Sequence, residues 1–201
     1  MDWLSSWTIW LARLRELPAD RKAQAIGEFA ICLPFLVLIS VGTFALGVVI
    51  DRHLTVTQLV RNAGNMYARG VDFTLQQNKQ LILQAADGMQ MTVAGGQGVI
   101  YLSTVIVAQT GDNLGLPVVS ERIVIANASM AQSKVGMPAA VLSNGEVVDY
   151  DNDPQARATL PAGVTLANNE RVYVAEVFHN PVNLSFEGIF VPQGLYSVAF
   201  F

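Results

Sequence analysis

FAICLPFLVLISVGTFALGVVI, Phe29 to Ile50, runs for 22 residues without a charge. At about 1.5 Å of rise per residue, a helix of that length covers the ~30 Å hydrocarbon core of a bilayer. One transmembrane helix is the expectation from which the rest of the fold follows. Pro34 sits in the first turn and a half of the run, where few helical bonds are lost, so a bend rather than a break is expected. Gly42 and Gly47 would let a neighbouring helix approach closely, although their spacing is not GxxxG. A cleavable secretory signal fits poorly. Such a core is usually ~7–15 residues with a small-x-small site behind it, whereas this run is longer, follows a long leader and exits into IDRHL.

Composition agrees with a membrane protein. The chain has 201 residues, 52% of them hydrophobic and 14% charged, and a mean hydropathy of +0.38, too apolar for an ordinary soluble domain. A net charge of −4 and a pI near 5.1 give no reason to expect nucleic acid as a partner. The single Cys32 lies inside the apolar run, which excludes an internal disulfide and reads as a small apolar packing residue. Before the run stand Arg13, Arg15, Arg21 and Lys22, and after it Arg52, Arg61 and Arg69. The positive-inside rule therefore favours a cytoplasmic N-terminus, and so an exported C-terminal part.

Working outward, the chain divides into a leader (1–23), the transmembrane helix (24–50), a stalk of helices with a linker (51–98) and a head (99–201). The leader holds Trp3, Trp7, Trp10, Leu11 and Leu14 at helix-compatible spacing, suited to a helix on a membrane surface or else a disordered extension. Leu54, Leu59, Val60, Met66, Tyr67, Leu75, Leu81 and Ile82 keep a three-and-four spacing with no proline between them, so helix should continue out of the bilayer, with a break near Gly70. GGQG at 95–98 lacks the Lys-Ser/Thr of a phosphate loop and reads as a linker. From Val99 the period changes to short β-branched and aromatic runs: VIYLSTVIVAQ, ERIVIANA, AAVLS, EVVDY, RVYVAEVF and LYSVAFF. Turn sequences TGDN, SNG, DNDP, LPAG, HNP and PQG separate them, and Asn144-Gly145 is the strongest hairpin signal. The expected class is α+β: a long N-terminal transmembrane and stalk helix, then an antiparallel β-rich head packed on the stalk.

Glu28 stands against the start of the apolar run. A carboxylate at the edge of hydrocarbon is costly unless paired, which makes it a functional candidate; the simpler reading is an interfacial acid placed at a helix start by the dipole. If the chain were cut between Ala23 and Gln24, the new ammonium would belong to Gln24 and Glu28 would become residue five of the product. In a helical assembly it could then neutralise the ammonium of its own or an adjacent subunit.

Arg21 and Lys22, a small residue, four positions, then Glu28-Phe29 and an apolar run containing Pro34 resemble the class III signal of type IV pilin-like proteins. The form is closest to the TadE/TadF-like minor pseudopilins of tight-adherence (Tad, or Flp) pili. VRNAGNMYARG, residues 60–70, is similar to that family's post-membrane helix. The resemblance implies a minor pilin or pseudopilin cut by an aspartyl prepilin peptidase before Gln24. It implies packing among other pilins through Phe29, Pro34, Gly42 and Gly47, register set by Glu28, and contact with an inner-membrane assembly platform. It further implies a bacterial inner-membrane location, with the head periplasmic or in the extracellular pilus. One departure is that the family prefers Gly where this chain has Ala23. The available Gly27 would make Glu28 residue one and Cys32 residue five, losing the charge pairing, and an uncleaved protein stays open.

Asp149, Asp151 and Asp153 alternate as calcium ligands might, but Pro154 and Leu160 stand where an EF-hand needs Gly and Glu, so a solvated turn is favoured. His53 and the HNP-turn His179 are the only histidines and belong to no metal motif. No GxSxG elbow or Walker sequence occurs, so neither enzyme activity nor a cofactor is expected. The competing function is a membrane-anchored binding module whose β head never polymerises.

Overall fold

The computed structural model describes residues 21–180 and 194–201; the leader helix expected over Trp3–Leu14 lies outside them. Helix α1 spans Arg21–Ala68. Its part up to Val48 belongs to one compact unit, and Val49–Phe201 forms another. Pro34 stands inside the helix rather than in its first turns, because helix already begins at Arg21. It leaves the carbonyl of Ala30 without its usual donor, and the helix carries on through it. Thr43 Oγ1 donates back to Ile39 O at 2.8 Å, so this hydroxyl is satisfied within an otherwise apolar segment.

In the second unit, α1 ends in a Schellman motif: Gly70 N–H bonds Tyr67 O at 2.9 Å and Val71 N–H bonds Met66 O at 3.0 Å. Gly70 supplies the left-handed residue at φ +82°. Asp72 then accepts from Thr74 N and Oγ1 at 2.8 and 2.6 Å, which lowers its carboxyl pKa and turns the chain into α2, Gln76–Gln84. Within GGQG, expected as a linker, Gly95–Gly96 and Gly98 lie in strands and Gln97 is a bend between them. β1 (Met91–Thr92) pairs with β2 (Gly95–Gly96), and Gly98 opens β3. Gly98 lies too close to Phe178 O and Met91 Sδ for a Cβ, at 2.7 and 2.9 Å.

β3 (Gly98–Val107), β4 (Pro117–Ala126), β5 (Arg171–His179) and β6 (Leu195–Phe200) form an antiparallel sheet in the order β4-β3-β5-β6. A bulge at Ser120, where Thr104 faces Glu121 and Val105 faces Val119, bends the β3–β4 pair. β3 is central and buried on both faces, which explains its nearly unbroken apolar run. On one face Ile100, Leu102, Ala175 and Val177 pack with Val56, Leu59, Val60, Ala63 and Tyr67 of α1. On the other face Val105, Val119 and Val174 meet Val135, Val147 and Ala156 from the long β4–β5 connection.

The end of α1 is fixed to the sheet by polar as well as apolar contacts. Tyr67 Oη lies 2.8 Å from Thr104 Oγ1 and donates to Glu121 Oε2 at 3.2 Å, while its ring meets Tyr173 edge-on at 5.5 Å. Phe201 sits on Gly64, where a Cβ would fall 2.1 Å from the ring. Leu54, Leu75 and Leu81, part of the three-and-four spacing, are each more than half exposed.

AAVLS and EVVDY do not form strands. They contribute isolated bridges, Val141↔Val147 and Glu121↔Glu146, around a tight turn with Gly145 at φ +94°. The hairpin signal at Asn144-Gly145 marks that turn correctly, but the flanking chain is drawn along the β4 edge, where Arg122 N–H bonds Gly145 O at 2.6 Å. His179, expected in a turn, is the last residue of β5 and is buried, because the ladder with β6 runs on to Leu195.

Candidate functional site

Two regions carry polar groups in unusual surroundings. In the first, Gln24 and Glu28 lie one helical turn apart on the same face of α1, and Gln24 Nε2 donates to Glu28 Oε1 at 3.0 Å. Ala23, the residue before the candidate cut, lies in the same helix. From Phe29 to Ile50 no side chain is buried within the chain: Phe29 is 58% exposed and Phe35 65%. The most apolar window of this helix has a mean hydropathy of 2.5 and none of it is buried within the chain. An outward apolar surface of this length requires lipid or other apolar helices around it. Around Gly42 and Gly47 there is open space where a Cβ would stand, room that a neighbouring helix could enter.

The second region lies under the β4–β5 connection. Glu176, in the middle of β5 and fully buried, accepts from Ser133 Oγ, from Lys134 N–H at 2.8 Å and from Tyr196 Oη at 3.1 Å. These three donors satisfy it as a carboxylate, an acceptor-only group. Arg122 of β4 is only 4% exposed. Its guanidinium lies 5.3 Å from the centre of the Tyr101 ring, and Nε and Nη2 have no partner among the described residues. Burial lowers the Arg122 pKa while the charge of Glu176 raises it. The Tyr196 hydroxyl is pushed well above its ordinary range by burial and by Glu176. The arrangement compensates two opposite buried charges through a ring and through hydrogen bonds.

The remaining sequence candidates separate. Asp149 Oδ1 accepts from Asn152 Nδ2 at 2.7 Å, and Asp153 from Gln155 N–H at 2.8 Å and Ala139 N–H at 2.7 Å. Two of the three carboxylates thus hold the turn, and among the described residues no group of three or more metal-ligating side chains occurs. His53 is exposed on α1, far along the chain from buried His179. Sequence reading missed the Arg122–Glu176 pair because polar residues alternating with apolar ones in ERIVIANA and RVYVAEVF suggest a sheet with one face in water. The length of the β4–β5 connection was the available signal that this face is covered.

Residues 23–64 match the family model of TadE-like proteins. No curated protein and no solved structure matches the chain. The match associates the chain with Tad pilus components, and the one helix long and apolar enough among the described residues fits a single-pass membrane anchor.

Proposed function

Because its N-terminal segment is TadE-like, we propose that this chain is a minor pilin or pseudopilin that takes part in assembling a Tad-type pilus. In this reading a prepilin peptidase cuts between Ala23 and Gln24, leaving the ammonium of Gln24 one helical turn from the Glu28 carboxylate. The observation that carries it is the Gln24–Glu28 hydrogen bond, which already sets the two residues on one helix face at 3.0 Å. An ammonium and a carboxylate neutralise one another there, within one subunit or between neighbours, and so lower the cost of holding charge beside hydrocarbon.

The work is mechanical. The outward apolar side chains and the open positions at Gly42 and Gly47 pack against other pilin helices, and Glu28 sets their register. The N-terminus lies in the cytoplasm and the β head on the periplasmic side, where it meets the assembly platform and other pilus subunits. Glu28→Ala tests the assembly role. It should leave membrane insertion and cleavage intact, yet lower recovery of the protein in sheared pili. Equal recovery of variant and parent would refute charge pairing.

A further inference from the structure

Three buried polar atoms stand together on the sheet face that the β4–β5 connection covers. Ser103 of β3 and Arg122 of β4 are directly opposite one another in the antiparallel register, so their side chains share that face. Ser103 is fully buried and Arg122 is 4% exposed. Ser103 Oγ, Arg122 Nε and Arg122 Nη2 have no hydrogen-bond partner among the described residues. Buried polar groups are costly to leave unpaired, and a cluster of them marks a place where a guest is bound.

The rest of the guanidinium is accounted for. The Tyr101 ring covers one side, 5.3 Å away at its centre, and Nη1 faces Met137 Sδ at 4.0 Å. What stays open is the edge formed by Nε and Nη2, whose N–H bonds lie parallel and take acceptors side by side. Glu176 does not fill that edge, because its oxygens accept from Ser133, the Lys134 N–H and Tyr196. On the other side of Ser103 stands Val174, an apolar neighbour. The two remaining unpartnered atoms, Asp151 Oδ1 and His179 Nδ1, lie at opposite ends of the sheet. Asp151 O receives Asn113 N–H past the β3–β4 turn, and His179 pairs with Gly98 at the start of β3.

We propose that the open edge of Arg122, together with the Ser103 hydroxyl, binds one small monovalent anion of the halide class. Arg122 can only donate, and Ser103 is the one unpaired group beside it able to accept. A water molecule there leaves one of its own protons without an acceptor, whereas a halide accepts from all three groups and sets a negative charge against the guanidinium. The three atoms are closed off from solvent, which leaves no place for a phosphate or a peptide carboxylate. Lys134 adds a second cation near Glu176, its Nζ 4.1 Å from the centre of the Tyr196 ring, so an added anion does not leave this face negative. Val135, Val147 and Ala156 of the connection close the face. The ion is therefore bound as the head folds, and the stability of the head depends on it.

Urea unfolding of the full chain in detergent micelles, with sodium chloride exchanged for sodium methanesulfonate at constant ionic strength, tests this. At a chloride concentration about ten times its dissociation constant, the unfolding equilibrium constant should be about tenfold smaller than in methanesulfonate, and the effect should saturate. Arg122→Met should abolish the difference between the two salts. Ser103→Ala removes one donor and keeps the guanidinium, so it should need at least about threefold more chloride for the same effect; it decides the matter even where Arg122→Met does not fold. Equal midpoints in the two salts would overturn the proposal and leave water as the guest. So would a chloride effect of the same size in the parent and in Ser103→Ala, which is an action of the salt on the chain at large.

Discussion

Replacing Glu176 by glutamine keeps the side chain's shape and removes its charge, so it isolates what the buried carboxylate contributes. In the parent, Glu176 accepts three hydrogen bonds. Glutamine can keep its oxygen toward Lys134 N–H and Tyr196 and offer its amide to Ser133 Oγ, so the bonds weaken from charge-assisted to neutral, at about 1 kcal/mol. The larger loss falls on Arg122. Arg122 is 4% exposed, with two of its nitrogens unpartnered among the described residues, and Glu176 is a negative charge that raises its pKa. Removing one member of a buried pair costs about 3–5 kcal/mol. No hydrogen bond joins this pair and Tyr101 keeps part of the compensation, so the lower end, about 3 kcal/mol, is expected.

Arg122→Met should cost less, because Glu176 retains its three donors. The double variant should recover about 2 kcal/mol relative to the sum of the singles. Urea unfolding of the chain in micelles near neutral pH, read by circular dichroism, measures all three. A loss of about 3 kcal/mol corresponds to a midpoint shift of roughly 1–3 M. A Glu176→Gln midpoint close to the parent's, or strictly additive singles, would refute charge compensation across this face.

Two further outcomes follow from single residues. Gly70→Ala meets open space but must adopt φ +82°, so it should lower stability by about 1–2 kcal/mol through the backbone alone, with Gly70→Asn milder; equal unfolding midpoints for Ala and Asn would contradict this. His179 is buried, and its pKa is lowered by desolvation and then by the Arg52 charge, with a hydrogen bond to Gln97 opposing. The unfolded chain therefore takes up a proton near pH ~6.5 that the folded chain refuses, and stability falls as pH drops through that value until the lower folded pKa is reached. His179→Gln should flatten the dependence of the urea midpoint between about pH 7.5 and 5.5, and an unchanged slope would count against it.

The apolar run, the switch from helical to alternating pattern near Val99 and the break at Gly70 could all be read from the sequence, because each rests on local chemistry: hydrocarbon length, side-chain period and a left-handed cap. What could not be read depends on contacts made far along the chain. Leu54 and Leu81 match helical periodicity but point outward, while Val56 and Ala63 are buried against the sheet. Gly64 reveals nothing about Phe201 until the sheet brings the chain end onto α1. AAVLS and EVVDY have strand composition, yet they serve as cover for β4 and its outer edge. Glu176 reads as a water-facing strand residue, and only the β4–β5 connection folding over that face buries it. At the candidate processing site, Glu28 stood out because a charge beside hydrocarbon is costly, whereas its bond to Gln24 became visible only with the helix drawn through both residues.

The central claim turns on the peptide bond between Ala23 and Gln24. Intact-mass measurement and N-terminal sequencing of the protein from membranes, with and without active prepilin peptidase, address it directly. The predicted mature form begins at Gln24 when the peptidase is active and at Met1 when it is not. A chain that keeps Met1 in the presence of the active peptidase would contradict the assignment.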